Sequence, residues 1–378
     1  MRPYGCRGEP APPLGPLAPP VSRSTTFAHE SAEALRAVGA GERPGEFYPR
    51  YGHPAGRAFE SAVAEAEGCD GAVSFASGMA ALHAIFCAPL GEGAVAVARD
   101  VYGGTSALLE KDLPRFGIRV VHFDPFGDVD LPRGVRLVHI ETPTNPLCRV
   151  VDVARVAKAA HERGALLSVD ATFAPPPLQR VCALGADLVM HSATKYLGGH
   201  SDAIGGVVGG RHEQMQAIEG FRRRTGGILG PDTAWLVARS MKTLPLRARQ
   251  QAEAAGRLAR FLVGRKGVAA VHYPGLEGHP DHAVAKRQME LPGAVVAFEA
   301  AGGLAGAVKV YDRLKVIGRA VSLGGVETIA SLPVHTSHVM VSPADRARMG
   351  LADGLIRVSV GLEPYETLAG DLEQALGG

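Results

Sequence analysis

The sequence predicts an α/β fold, in which a mostly parallel sheet carries helices on both faces and a smaller α+β unit follows. Three observations predict it. From Ser61 to Val208, short apolar runs alternate with helix-length amphipathic stretches. The turns that follow those runs are glycine-rich or polar. After Thr233 a long helical stretch carries the chain into a second set of short strands. Strand, helix, strand repeated in this way gives parallel pairing with helical crossovers.

The elements follow in order. Residues 1–50 are proline-rich, with prolines at 10, 12, 13, 16, 19 and 20 among others. Proline lacks a backbone donor and disfavours helix in the residue before it, so this segment reads as an extended arm. Such an arm buries little of itself and is expected to lie on a neighbouring subunit. Residues 51–239 form the α/β unit, with strands expected at Ala72–Phe75, Ala94–Ala98, Ile118–Phe123, Val135–Ile140, Leu166–Asp170, Asp187–His191 and Gly205–Val208. Helices are expected at Met79–Ala88, Ser106–Arg115 and Asp152–Arg163. Helical stretches Ala234–Lys242 and Leu246–Gly264 then lead into residues 240–378, with the domain boundary near Arg239. Strands are expected there at Val268–His272, Ala294–Glu299, Val316–Ala320 and Leu355–Val360.

Composition excludes several classes of function. The chain has 378 residues, 46% hydrophobic and 21% charged, with a formal net charge of +2. That balance is neither a polybasic nucleic-acid binder nor an acidic disordered chain. Five cysteines (Cys6, Cys69, Cys87, Cys148, Cys182) are scattered without a C-x-x-C pair, so neither a disulfide framework nor a thiolate zinc site is expected. Met1–Pro20 has no apolar core of a signal peptide, and no stretch is long and apolar enough to span a bilayer. A cytoplasmic protein without membrane or nucleic-acid partners is expected. Arg222-Arg223-Arg224 reads as a solvated face or pocket rim, His139 and His191 as core histidines, and Gly302–Gly306 as a connector. The His279-x-x-His282 pair has Pro280 inside it and no accompanying carboxylate pattern, so no metal is expected.

In open parallel sheets, ligands bind outside the carboxyl ends of the strands. Lys195 follows one such strand in His191-Ser192-Ala193-Thr194-Lys195, with Gly198-Gly199 behind it. A desolvated lysine loses its proton more readily and forms a Schiff base with an aldehyde; an exposed loop lysine is the plainer alternative. Asp170 closes an earlier strand, where a carboxylate either pairs with a protonated ring nitrogen or caps a turn. Ser77-Gly78-Met79 sits at a strand–helix turn that suits an anion. Tyr102 offers a ring for stacking, and Asn145 places an amide in the same row of strand ends. Each turn is weak evidence alone; the convergence of all of them on one sheet edge carries the reading.

These segments resemble the pyridoxal-phosphate enzymes of cysteine and methionine metabolism, the group of cystathionine γ-synthase, cystathionine γ-lyase and methionine γ-lyase. The resemblance runs in order from about Val21 to Leu376. It is carried by Ser-Ala-Thr-Lys-Tyr-Leu-Gly-Gly-His-Ser-Asp at 192–202, Tyr-Pro-Gly-Leu at 273–276, Ser-Leu-Gly-Gly-Val-Glu-Thr at 322–328 and Arg-Val-Ser-Val-Gly-Leu-Glu at 357–363. It implies the aspartate-aminotransferase-like fold (fold type I), a pyridoxal 5'-phosphate cofactor, a small amino-acid substrate, and a homo-oligomer built as a tetramer, a dimer of dimers. Lys195 would hold the cofactor as a Schiff base, Asp170 would pair with its ring nitrogen, and Tyr102 would stack on the ring and help expel the leaving group. Gly78, Met79, Ser192 and Thr194 would hold the phosphate, joined by Tyr48 and Arg50 from a neighbouring subunit. Asn145, Ser322 and Arg357 would bind the substrate's α-carboxylate.

The implied activity is γ-elimination from a sulfur amino acid, with γ-replacement on an O-acylhomoserine and an inactive scaffold as alternatives. The chain departs from the family's usual residues at Pro49, His53, Ala171 and Ser337. Phe47 and Val321 stand where cystathionine γ-lyases carry acids, and Gly104 where many methionine γ-lyases carry cysteine. Apolar walls leave cystathionine's distal ammonium unpaired. A methionine-like thioether or an O-acylated homoserine suits them better, although Glu46 lies one residue from the first lost acid.

Overall fold

The computed structural model describes residues 18–89, 93–339 and 341–377. Prolines 10, 12, 13 and 16 of the expected arm, and Cys6, lie outside the described residues. The segment expected to be extended up to residue 50 is not extended throughout: within it Ser31 caps helix α1 (Ala32–Gly39), and α2 (Pro54–Glu67) follows. His53 caps α2 by accepting the Gly56 N–H, and Pro54 fills a first-turn position that needs no donor. Strand β1 (Gly71–Phe75) then runs into α3 (Gly78–Cys87), capped by the Ser77 side chain.

After β2 (Ala94–Ala98), helix α4 (Gly103–Ala107) opens the expected Ser106–Arg115 helix, which is not regular. It passes through a π turn at Leu108–Asp112 and a 3₁₀ turn at Leu113–Phe116. Pro114 cannot donate to an α ladder, and Gly117 at φ +78° ends the segment. Strands β3 (Arg119–Phe123) and β4 (Val135–Glu141), helix α5 (Val153–Glu162), and strands β5 (Leu166–Asp170), β6 (Leu188–Ser192) and β7 (Gly206–Gly210) follow. Helices α6 (His212–Thr225), α7 (Pro231–Met241) and α8 (Leu244–Leu262) lead to the second sheet, and the expected boundary at Arg239 falls inside α7. That part contains β8 (Val268–His272), α9 (His282–Gln288), β9 (Val295–Ala300), α10 (Gly303–Arg313), β10 (Gly318–Arg319), β11 (Ile329–Ser331), α11 (Pro343–Arg348), β12 (Leu355–Ser359) and α12 (Tyr365–Leu376).

The first sheet has seven strands in the order β1-β7-β6-β5-β4-β2-β3. Pairs β2/β3, β2/β4, β4/β5 and β5/β6 are parallel, while β7 runs antiparallel to both β1 and β6. Its central strands are buried on both faces; every residue of β2 is buried, as expected where helices cover a parallel sheet. The second sheet has five strands in the order β10-β11-β12-β9-β8. One apolar cluster fills the first sheet's interior, including Val97, Leu137, Val169 and Val189. A second joins α2, α7 and α8 to the smaller sheet through Phe59, Leu258, Phe298 and Ile356. This shared packing brings β12 and the loop after β10 up to the carboxyl ends of β4, β5 and β6.

Candidate active site

Those ends enclose a cavity of about 680 Å³. Ser77, Gly78, Met79, Tyr102, Glu141, Asn145, Asp170, Ser192, Thr194 and Lys195 line it from the larger sheet. Val321, Ser322, His335, Thr336, Ser337 and Arg357 line it from the smaller. The structure thus gathers Lys195, Asp170, Tyr102, Gly78, Met79, Ser192, Thr194, Asn145, Ser322 and Arg357 around one space. It does not bring Tyr48 or Arg50 there: Arg50 donates to the Arg223 carbonyl oxygen at 2.8 Å and lies over the rings of Tyr48 and Tyr51.

Lys195 sits in a turn fixed by its own N–H to the Ser192 oxygen (3.0 Å) and by Gly198 N–H to the Ala193 oxygen (2.8 Å). Its Nζ donates to Ser322 Oγ at 2.7 Å. Burial, reinforced by the nearby Arg357 charge, brings the ammonium down from 10.5 to about 8. It is therefore not the exposed loop lysine of the plainer alternative. Ser322 holds φ +94°, a left-handed conformation costly for a non-glycine residue, of the kind that clusters at functional sites.

Asp170 ends β5 directly opposite Glu141 of β4 in the parallel register, and both side chains are buried. Asp170 accepts the Thr172 N–H at 3.0 Å. Burial raises its carboxyl group. Burial, and then the facing Asp170, push Glu141 well above the ordinary carboxylate range. Glu141 nonetheless accepts the N–H groups of Tyr102 (2.7 Å) and Asn145 (3.1 Å).

Arg357 projects from β12 and donates to Asn145 Oδ1 at 2.8 Å and to the Ser322 carbonyl oxygen at 2.7 Å. Its Nε is buried without a partner. A buried guanidinium with an unused donor at the wall of a cavity is suited to a carboxylate. At the start of α3, a Cβ on Gly78 would lie 3.0 Å from Met190 Cε and 3.1 Å from Ser192 Cβ, so glycine permits close packing there. The Thr194 hydroxyl donates to the Gly205 oxygen and accepts the Gly205 N–H at 3.1 Å. A Cβ on Gly104 would meet Tyr102 Cε1 at 2.5 Å, so glycine at this position is what leaves room for the tyrosine ring.

Sequence reasoning assigns no role to several lining residues, among them Glu141, Thr172, His335 and Thr336. Glu141 reads only as the first residue of the turn after a strand, and His335 carries no signal. Arg222 corrects an expectation: it is not on a solvated face but buried, donating to Glu60 Oε1 (2.7 Å) and the Ser74 oxygen (3.0 Å). Three arginines in α6 point different ways because a helix turns by about 100° per residue. His139 and His191 are buried, the latter against Glu67. Phe47 does not line the cavity but packs edge-on against Tyr51, and Glu46 is ion-paired with Arg57. Among the described residues no group of His, Cys, Asp or Glu could hold a metal, and no helix is long and apolar enough to cross a membrane.

The fold and the cavity place a desolvated lysine and two facing buried acids around one space, the arrangement of an enzyme site. The chain belongs to the Cys/Met metabolism PLP-dependent enzyme family, whose model matches residues 7–377. It is 40% identical over 370 residues to the O-succinylhomoserine sulfhydrylase of Pseudomonas aeruginosa, covering 96% of this chain and 92% of that one. It is also 40% identical over 370 residues to the L-methionine gamma-lyase of Pseudomonas deceptionensis, covering 96% and 93%. A solved cystathionine gamma-lyase from Micromonospora echinospora superposes with a TM-score of 0.91 at 39% identity, covering 100% of both chains. The fold is fold type I, the protein is a pyridoxal-phosphate enzyme of the carbon–sulfur lyase and γ-synthase group, and its substrate is a small amino acid. The residues present fit that cofactor. Lys195 supplies a desolvated amine, Asp170 a buried acid, and the start of α3 with Ser192 an anion site.

Proposed function

We propose that the protein cleaves the Cγ–sulfur bond of a methionine-like amino acid by γ-elimination. The carboxylates lining the cavity among the described residues are Glu141 and Asp170, and both are taken up by groups within it. The mouth is formed in part by Val321, 65% exposed, where an acid would be needed to meet a distal ammonium. A substrate ending in an uncharged alkyl group leaves no charge unpaired there; cystathionine would.

Arg357, with Asn145 and Ser322, holds the α-carboxylate in this reading. Pyridoxal phosphate, when bound, supplies an electron sink for negative charge at Cα. Lys195 would hold it covalently, Asp170 would keep its ring nitrogen protonated, and Gly78, Met79, Ser192 and Thr194 would bind its phosphate. Lys195 takes the proton from Cα, which an amine with a value near 8 can do at neutral pH. Tyr102 would stack on the ring; once a second proton has left Cβ, its electron pair forms the Cβ–Cγ double bond as the Cγ–sulfur bond breaks, and the Tyr102 hydroxyl gives its proton to the departing sulfur. Water completes the reaction to α-ketobutyrate, ammonia and a thiol. The enzyme works in the cytoplasm as a homotetramer in which residues 1–50 carry Tyr48 and Arg50 to a neighbour's phosphate site. The chain divides at about Arg239 into the cofactor-binding domain and the C-terminal domain.

A second reading, γ-replacement on an O-acylhomoserine, is favoured by the polar wall of His335, Thr336 and Ser337, which suits an acyl carbonyl or carboxylate. Purified enzyme given methionine, cystathionine, or O-succinylhomoserine with sulfide separates the two. α-Ketobutyrate from methionine without a nucleophile is expected. Homocysteine formation from the ester, with no turnover of methionine, overturns the elimination reading.

A further inference from the structure

We propose that Glu141 is a positioning residue, fixing from one carboxylate both the stacking ring of Tyr102 and the substrate-facing amide of Asn145. This rests on the reading of the cavity as the pyridoxal-phosphate site. Each oxygen serves one donor, Oε2 accepting the Tyr102 N–H at 2.7 Å and Oε1 the Asn145 N–H at 3.1 Å. These donors come from different loops, one after β2 and one after β4, and Tyr102 has no side-chain cap of its own at α4. Asn145 in turn holds Arg357 at 2.8 Å. One acid therefore ties the aromatic wall to the carboxylate wall, and the two walls would otherwise adjust separately.

A scaffold role alone does not explain a carboxylate here. Two backbone N–H groups are as well served by a neutral acceptor or by water. Glu141 is only 5% exposed and lies opposite Asp170 in the register, where a second acid adds like-charge repulsion in a dry site. That repulsion is relieved when a cation stands against Asp170. The ring side of the site is where such a cation is needed.

The test uses Glu141→Gln, whose amide oxygen accepts one N–H while its NH₂ faces the other. Pyridoxal phosphate is titrated into cofactor-free protein, and L-norleucine into the reconstituted enzyme. We expect cofactor affinity to fall at least tenfold, norleucine affinity at least fivefold, and the visible circular dichroism of the bound cofactor to change. In a Tyr102→Ala background, Glu141→Gln is expected to cost less than twofold in cofactor affinity, since the group it acts through is gone. Both affinities within twofold of wild type, or fully additive effects in the double variant, overturn the proposal. Should Glu141→Gln not fold, Glu141→Asp, too short to reach both donors, is read by the same titrations and the same limits. Failure of the wild-type protein to bind pyridoxal phosphate would instead overturn the cofactor site itself.

Discussion

Lys195 can be tested without substrate. Its ammonium is lowered from 10.5 to about 8, first by burial and then by the charge of Arg357. At pH 7 an amine at 10.5 is neutral in about 0.03% of molecules and one at about 8 in about 9%, a gain of about 300-fold in reactive amine. An amine-directed acylating reagent on cofactor-free protein, followed by mass spectrometry of the peptide holding Lys195, reads this out with exposed Lys158 as internal reference. Labelling is expected to reach half its maximal rate near pH 8, and Arg357→Met to move that point upward while leaving it below the ordinary lysine value. The same shift sets a stability slope. Between about 8 and 10.5 the unfolded chain still binds a proton that the folded protein has released, so stability of the cofactor-free protein rises with pH across that window. Integrated, the shift is worth about 3 kcal/mol, and Lys195→Met should abolish this contribution while stabilising the protein at neutral pH. Labelling of Lys195 that is half-maximal only near pH 10, or a Lys195→Met variant with an unchanged slope, would refute the desolvation argument.

Three further outcomes are expected. Arg357→Lys replaces a fork that holds Asn145 Oδ1 and the Ser322 oxygen with a single point charge, so affinity for an α-amino acid carboxylate should fall about 10- to 100-fold in a spectral titration. Gly104→Cys places a Cβ 2.5 Å from Tyr102 Cε1, so the ring must move; reduced turnover and an altered visible circular dichroism of the bound cofactor are expected, and unchanged values would show that the ring has other room. Arg222→Ala leaves the buried ends of Glu60 and Ser74 without their cation and should destabilise the protein by about 3 kcal/mol in denaturant unfolding without changing cofactor affinity.

Much of the parallel sheet is legible in the sequence because buried strands read as continuous apolar runs between turn signals. Ala94–Ala98 and Leu166–Asp170 match their expected bounds residue for residue. Val268–His272, an antiparallel strand of the second sheet, does so as well. Helices α2 and α6 are harder to see, the first because its buried stripe is mostly alanine, the second because it is highly charged along its exposed side. Strand β11 spans only Ile329–Ser331, too short for any period to show. Of the site, the residues at strand ends are visible because the topology sends such ends to one edge. Glu141 is hidden because a glutamate after an apolar run reads as the first solvated residue of a loop. Its burial depends on Tyr102, 39 positions away, folding back to donate to it. Arg222 is hidden for the same reason: Glu60 and Ser74 are remote in sequence, and three adjacent arginines look alike until a helix separates them.

Charge balance in the cavity bears on the proposed assembly. A phosphate carries close to two negative charges at neutral pH. Among the described lining residues the basic side chains are Arg357, Lys195 and His335. Arg357 is committed to Asn145 and Ser322 on the smaller-sheet side, and the Lys195 amine is the group reserved for the cofactor's aldehyde rather than its phosphate. At the α3 end, a single chain therefore offers backbone N–H groups, the Ser192 hydroxyl and the already engaged Thr194 hydroxyl, but no side-chain cation among the described residues. The helix terminus is worth about half a charge. Arg50 lies outside its own chain's cavity, held by the Arg223 carbonyl and two tyrosine rings. A guanidinium supplied from a second copy would close the deficit, so Arg50→Ala should weaken pyridoxal-phosphate binding at least tenfold. Mixing Arg50→Ala with Lys195→Ala subunits should restore one competent site per mixed pair, because each site then draws its arginine and its lysine from different chains. No recovery of activity on mixing, in subunits shown to exchange, would place Arg50 in the service of its own chain alone.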